Sequence, residues 1–253
     1  MDESAEKEQL IRALERTNQE LQQFAYIVSH DLKAPLRAIH SLVQWIAEDY
    51  GPLFDEDGRE QLELLQGRVV RMDQLIEGVL HYSRIGRVRE EMVPVNLNKL
   101  VTEVIDLLSP PAHITVRVLD RLPIVVCEKV RMGQVFQNLI SNAIKFMDKP
   151  QGEIIVRCVE QEQSYRFGVQ DNGPGIAAKD HERIFQIFQT LHAGDSYGST
   201  GIGLTLVKKI VELHGGVVQL FSPLPADDPA HPPHGSLFQF TLPKSPVELA
   251  AAD

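Results

Sequence analysis

Leu21-Gln22-Gln23-Phe24-Ala25-Tyr26-Ile27-Val28-Ser29-His30-Asp31-Leu32-Lys33-Ala34-Pro35-Leu36-Arg37, residues 21–37, lies inside one long helical pattern that runs from about residue 5 to 48. Leu10, Leu14, Leu21, Phe24 and Val28 follow alternating steps of four and three when Thr17 fills the gap, which is the seam of a coiled coil. Outside that seam the first turns are polar and have little else to pack against. Val28 and Leu32 each stand two residues from His30, a rotation of about 200° at helical pitch. The imidazole therefore points away from the apolar stripe. Pro35 removes a backbone hydrogen bond within the helix and is expected to kink it.

Tyr50-Gly51-Pro52 breaks this helix, and Asp55-Glu56-Asp57 can cap the next. A second helix is expected from about 58 to 86, with Leu62, Leu65, Val69, Met72, Ile76 and Val79 again stepping by three and four. A hairpin with one apolar stripe on each helix cannot bury both stripes alone. Pairing two hairpins into a four-helix bundle does, so a homodimer is expected.

The pattern changes after Gly86. Arg87 to Glu91 reads as a charged linker, and short strand-like runs then alternate with helices. Strands are expected over 92–95, 113–119, 123–127, 153–159, 165–170, 217–222 and 236–242. Helices are expected over 97–108 (capped by Asn96), 128–146 and 201–214. The fold class is thus an all-α antiparallel hairpin over residues 1–88, then an α+β sandwich over 89–253 with helices on one face of a mixed sheet. Pro223–His234 reads as a mobile hairpin insertion and the tail after Pro243 as frayed.

Composition narrows the function. Of 253 residues 43% are hydrophobic and 24% charged, as in ordinary globular proteins. The longest apolar run, Phe24–Val28, is far short of the about 20 residues that span a bilayer. No signal peptide opens the chain, and any membrane anchor would lie outside it. A formal charge of -10 disfavours nucleic acid as a partner. Cys127 and Cys158 sit in apolar strand-like runs, and two buried thiols suggest a reducing compartment.

Four further features carry chemistry, each with an ordinary alternative. An exposed His30 beside Asp31 suits a nucleophile, since a carboxylate bonded to Nδ1 leaves the Nε2 lone pair free; read alone, the two residues favour an ordinary solvated pair. Asn138, Asn142 and Lys145 share one helix face and can serve Mg²⁺ and phosphate, or simply face water. Asp171-Asn172-Gly173-Pro174-Gly175-Ile176 follows a strand; Asp171 can accept from an exocyclic amine, or the segment is only a turn. Gly198-Ser199-Thr200-Gly201-Ile202-Gly203-Leu204 opens a helix whose free N–H groups suit phosphate. It lacks the third glycine of the dinucleotide fingerprint and the Gly-Lys-Ser/Thr of a Walker loop. Arg183–Phe188 lies between the last two features, in a stretch (about 176–202) that reads as a lid with phenylalanine anchors.

Taken in order, these segments resemble the sensor histidine kinases of two-component signalling, over nearly the whole chain. His30–Pro35 is similar to the H-box, Asn138–Phe146 to the N-box, Asp171–Gly175 to the G1 box, Phe185–Phe188 to the F-box and Gly201–Gly203 to the G2 box. The wording around His30 is most similar to the subclass coupled to phytochrome or PAS sensors. The resemblance implies a HisKA-type dimerisation domain and a GHKL-type ATP-binding domain, acting as a dimeric, cytoplasmic protein-histidine kinase. It implies ATP with Mg²⁺ as cofactors and His30 as phosphoacceptor, with Asp31 orienting the ring. A response-regulator receiver domain is the implied partner, and a sensor domain absent from this chain the implied upstream element.

By the same resemblance Asp171 meets the adenine amine, Asn142 with Asn138 faces Mg²⁺, and Lys145 and the backbone near Gly201 and Gly203 face the phosphates. Phe146, Gly173, Gly175, Ile176, Thr200, Ile202 and Leu204 complete the nucleotide-binding set. Two departures stand out. Ala34 replaces the Thr or Asn that often lies four residues after the phosphorylated histidine, so weak phosphatase activity is expected. Between Phe188 and Gly201 there is no Lys or Arg, and His192 is the remaining cation candidate. That departure motivates an alternative, a nucleotide-binding pseudokinase acting as a dimeric signalling module. The related chaperone, gyrase and mismatch-repair ATPases carry a glutamate in the first N-box position; Asn138 stands there in this chain and argues against water as nucleophile.

Overall fold

A computed structural model describes residues 3–85, 91–191, 200–224 and 234–244, without the side chains of 3–8, 11, 14, 15, 18, 19, 21 and 22. The chain divides into two compact units: residues 1–88 with 192–202, and 89–191 with 203–253. The expected linker at 87–91 and the tail after 244 lie almost wholly outside the described residues, as do residues 225–233 of the expected insertion.

In the helical unit, α1 (Glu3–Tyr50) is a single helix that runs through Pro35. Gly51–Leu53 forms a 3-10 turn, and α2 (Glu56–Arg84) follows. Asp55 caps α2 by accepting from the Gly58 amide at 2.9 Å. The apolar pattern resolves into two seams. Ser29, Leu36 and Val43 recur every seventh residue and are buried within the hairpin, as are Val69 and Leu80 on α2. Leu32, Ile39 and Ile46, also seven apart, stay exposed, as do Leu65 and Met72 on α2. The stripe read from Leu10 through Val28 is exposed at Leu10, Phe24 and Val28, while the Leu14 and Leu21 side chains lie outside the described residues. One period therefore serves two faces, an intrachain seam and an unpartnered one, and the inner seam passes beside His30 at Ser29.

The second unit begins with β1 (Met92–Asn96) and α3 (Leu97–Leu108), where the Asn96 side chain caps the helix at the Lys99 amide, 3.2 Å away. Strands β2 (Ile114–Val118) and β3 (Ile124–Glu128), helix α4 (Lys129–Lys145), and strands β4 (Gly152–Glu160) and β5 (Ser164–Asp171) follow. Helix α5 (Gly203–Leu213) and strands β6 (Val218–Phe221) and β7 (Ser236–Pro243) close the unit.

The main sheet has the order β2-β4-β5-β7-β6, with β2 parallel to β4 and the remaining pairs antiparallel. The strands that lead into α3 and α4 form a separate antiparallel ribbon, β1 with β3, rather than joining that sheet. Asn98 anchors it, donating to the Leu122 carbonyl and accepting from the Leu122 amide at 2.7 and 3.0 Å. Helix α4 packs on the sheet through Phe136, which meets Phe167 and Phe240 edge-on at 6.0 and 5.5 Å, while those two stack at 5.0 Å. All three rings are fully buried.

Two expectations need correction. Helix α5 starts at Gly203, not Gly201, because Gly201 adopts φ +67°, a left-handed conformation that a right-handed helix cannot contain. Cys158 is only half-buried, since its strand faces solvent there; Cys127 is buried, and both are free thiols. Burial pushes both thiols up to about 11, aided by Glu128 beside Cys127 and by Asp120 and Glu160 beside Cys158, so both stay protonated at neutral pH.

Candidate nucleotide site and phosphoacceptor

In the helical unit, His30 is 71% exposed, and its Nδ1 lies 3.3 Å from Oδ1 of the equally open Asp31. Tyr26, one turn earlier, lies nearly parallel to the imidazole with ring centroids 6.5 Å apart, and the Arg84 guanidinium stands 5.7 Å over the Tyr26 ring. Lys33 pairs with Glu77 across the two helices. Asp31 thus engages Nδ1, while Tyr26 lies over one face of the ring. Ala34, one turn on, is exposed and brings no polar group.

In the sheet unit, α4 is the spine of the candidate site. Asn138 and Asn142 are half-buried on one face, and Lys145, at the last position of the helix, is exposed with its ammonium 5.3 Å over the Phe146 ring. The Asn138 amide is oriented by its own helix, since Nδ2 donates to the Gln134 carbonyl at 2.8 Å. Oδ1 is left facing the first turn of α5. A Cβ built on Gly203 would stand 2.6 Å from that oxygen. Were ATP with Mg²⁺ held at this face, Gly203→Ala would keep the fold, because a side-chain tip can yield, but would displace Oδ1 and weaken Mg²⁺-dependent binding about ten-fold. Titrating Mg²⁺ at fixed ATP, with melting temperature as the control, checks this.

At the other end of α4, Phe146 abuts the turn that follows β5. A Cβ on Gly173 would lie 3.5 Å from the Phe146 carbonyl. Asp171 ends β5, and its Oδ1 accepts from the amides of Gly173 at 2.9 Å and Ser236 at 3.2 Å. Burial pushes its carboxyl up to about 6, against the pull of those two N–H donors, with Asp148 adding a smaller upward push. Gly175 takes φ +77°, where any side chain would be strained, and the Ile176 amide donates to Ser222 Oγ at 2.7 Å.

Beyond the turn, Ile184 is buried, and Phe185 meets Phe238 edge-on at 6.5 Å while its carbonyl accepts from Thr205 Oγ1 at 3.0 Å. Phe188 stays exposed at φ +66°. Only the first phenylalanine of the pair is therefore an anchor. Residues 192–199 of the expected lid, His192 included, lie outside the described residues. Thr200, Gly201 and Ile202 fall in the helical unit, and Ile202 is buried; Gly203 and Leu204 fall in the sheet unit and are half-buried.

Two groups escaped the sequence reading. Ser222, Gly235 and Ser236 brace the Asp171 turn, although Asp171 and Ser236 are 65 positions apart, so no local spacing reveals them. Glu128, Arg131 and His214 form a buried cluster joining the start of α4 to the end of α5. Arg131 Nη1 lies 3.1 Å and His214 Nε2 3.9 Å from Glu128 Oε2, and His214 Nδ1 donates to the Ile210 carbonyl at 2.8 Å. The three-residue step from Glu128 to Arg131 was visible, but its burial was not.

Known proteins give the arrangement a context. Residues 20–87 match the family model "His Kinase A (phospho-acceptor) domain". Residues 127–246 match "Histidine kinase-, DNA gyrase B-, and HSP90-like ATPase". Cyanobacterial phytochrome B of Nostoc sp. is 43% identical over 247 residues, covering 96% of this chain and 32% of its own length. The chain thus spans about a third of that relative. Among solved structures, full-length ShkA in complex with AMPPNP superposes with TM-score 0.64 at 24% identity, over 91% of this chain and 48% of that one. Histidine kinase ThkA in complex with response regulator protein TrrA gives 0.59 at 22% identity, over 92% and 65%. At those identities the superpositions speak for the fold.

Proposed function

Because the chain belongs to the sensor histidine kinases of two-component signalling, we propose that it phosphorylates His30 from ATP and passes the phosphoryl group to an aspartate of a response-regulator receiver domain. The observation that carries this reading is the presentation of His30: exposed on its helix, with the Nδ1 side engaged by Asp31. A hydrogen on Nδ1 pointing to the carboxylate leaves Nε2 with its lone pair outward, the tautomer that attack requires.

ATP is the donor substrate. The Nε2 lone pair forms a bond to the γ-phosphorus as the bond from that phosphorus to the β,γ-bridging oxygen breaks, and ADP leaves with the electron pair. Positive charge that develops on the ring is shared with Asp31, which takes up the Nδ1 proton or passes it to water. The remaining work is positioning and charge neutralisation. Asp171 offers the oxygen not held by Gly173 and Ser236 to the adenine amine, beside Gly173, Gly175 and Ile176. Lys145, with Phe146 beneath its ammonium, and the backbone around Thr200–Leu204 serve the phosphates.

Mg²⁺ fits the donor set at Asn138 and Asn142, where it would offset phosphate charge. Two neutral amide oxygens cannot hold the ion unaided, which matches a cation that shares its remaining ligands with phosphate and water. Among the described residues no group of three or more His, Cys, Asp or Glu side chains is placed to bind a metal by itself. The unpartnered seams at Leu32, Ile39 and Ile46 and at Leu65 and Met72 support a homodimer built as a four-helix bundle. Two unpaired thiols suit a reducing, cytoplasmic setting. Among the described residues no helix is long and apolar enough to cross a membrane.

Incubation with γ-labelled ATP and Mg²⁺ tests the reading. The protein is expected to acquire label that is lost in acid and kept in base, as a phosphorus–nitrogen bond requires, and to surrender it to a receiver domain. ATP binding without any label, with receiver present and across divalent metals, would favour the pseudokinase instead. The lack of Lys and Arg between Phe188 and Gly201 is what motivates that second reading.

A further inference from the structure

The turn that carries Asp171 is held from outside its own segment. Ser222, directly after β6, accepts from the Ile176 amide at 2.7 Å, and its hydroxyl donates toward the Gly235 carbonyl at 2.9 Å, with Ser236 Oγ at 3.0 Å. The Gly235 amide donates to the Gly173 carbonyl at 2.7 Å, and the Ser236 amide to Asp171 Oδ1 at 3.2 Å. Turn and hairpin mouth approach so closely that a Cβ on Gly235 would stand 2.3 Å from the Asp171 carbonyl. A Cβ on Gly175 would stand 3.2 Å from the Gly235 carbonyl and 3.3 Å from Ser222 Oγ. A hydroxyl fits this gap because one atom accepts and donates at once.

Resting on the ATP-site reading above, we propose that Ser222 is a positioning residue of the nucleotide site. Its hydroxyl locks the 171–176 turn onto the mouth of the β6–β7 hairpin and thereby fixes the direction in which Asp171 offers its second oxygen to the purine amine. The argument is one of connectivity. Ser222 reaches 46 positions back to Ile176 and 13 forward to Gly235. It binds the far end of the turn, while Gly235 and Ser236 bind the near end. Without the hydroxyl, the Ile176 amide loses its partner and the Gly235 carbonyl keeps only the Leu224 amide at 3.3 Å. The hairpin mouth then holds the turn only at Gly173 and Asp171, while Asn172 stays tied to Glu153 and Gln151 on the opposite side. The turn then gains freedom where the purine must dock. Binding should suffer and the chemical step, which takes place at His30, should not.

The test compares Ser222→Ala, Ser222→Cys and Ser222→Thr in the full chain. Cysteine keeps the size but bonds poorly, and threonine keeps the hydroxyl. Calorimetric titration with ATP and with ADP is expected to show affinity about ten-fold weaker in the Ala and Cys variants and within about three-fold of the parent in Thr. KM for ATP should rise by the same factor while the rate of labelling at saturating ATP stays within about two-fold. Amide exchange should accelerate at Ile176 in the unliganded Ala and Cys variants. Should Ser222→Ala fail to fold, Cys against Thr decides. Parent-like ATP affinity in Ala and Cys, or a loss that Thr shares in full, overturns the role of Ser222 alone. A parent that binds neither nucleotide overturns the site reading, and this proposal with it.

Discussion

Replacing His30 with Gln is expected to abolish labelling from γ-labelled ATP, a fall of about 10³-fold or more, since removal of a covalent nucleophile leaves no alternative acceptor. The ring is exposed, so glutamine replaces it on the helix without opening a cavity, and its helix propensity is at least as good. Melting temperature and ATP affinity should both stay near the parent values. That combination separates loss of the acceptor from loss of the fold. Asp31→Asn should act more gently, about ten-fold on the labelling rate, because a carboxylate this open already shares its work with water. Acid-labile label that survives in His30→Gln would show that another side chain is the acceptor.

Asp171→Asn should weaken ATP and ADP binding by about ten- to hundred-fold, the value of a hydrogen bond to a charged acceptor. The same change should stabilise the empty protein at neutral pH. Burial raises the folded-state carboxyl from 3.8 to about 6, so the folded protein holds this proton more tightly than the unfolded chain. Ionised Asp171 therefore costs stability. The cost is absent below about pH 4, grows between pH 4 and 6, and is complete above about 6, where it approaches about 3 kcal/mol. Asp171→Asn removes it, so the variant should melt higher than the parent at pH 7.5, and this difference should shrink toward pH 4. Parent ATP affinity should decline as pH falls through about 6 and the carboxylate is neutralised. A site that sacrifices stability to keep a buried charge ready is the pattern expected of a binding carboxylate, not a structural one. Calorimetry and ATP titration at pH 5, 6 and 7.5 measure both effects. If Asp171→Asn binds ATP like the parent, Asp171 is excluded as the purine contact.

Much of this was legible along the chain because the signals are local. Helix stop and start at Tyr50-Gly51-Pro52 and Asp55, the Asn96 cap, and the strand ends that deliver Asp171 all depend on neighbours within a few residues. Helical pitch turns His30 away from Val28 and Leu32, but those two stay exposed and the buried seam runs through Ser29 beside it, so the openness of His30 rests on how the hairpin packs. The two seams of α1 were not separable, because every residue seven steps on from another shares its face. Periodicity cannot say which face meets α2 and which waits for another chain. Likewise the F-box pattern did not tell a half-buried Phe185 from an exposed Phe188; that distinction rests on Phe238, which is distant in sequence.

By itself, then, the order of residues determined the helical hairpin, the alternation that follows it, and the chemical types available: an outward imidazole, two amides and a lysine on one helical face, and an aspartate after a strand. Tertiary structure decided which of these are held and by what. The β1–β3 ribbon, the Glu128–Arg131–His214 cluster and the Ser222–Gly235–Ser236 brace join segments tens of residues apart. Such contacts arise from three-dimensional packing and from the need to satisfy buried polar groups, and neither leaves a periodic trace in the chain.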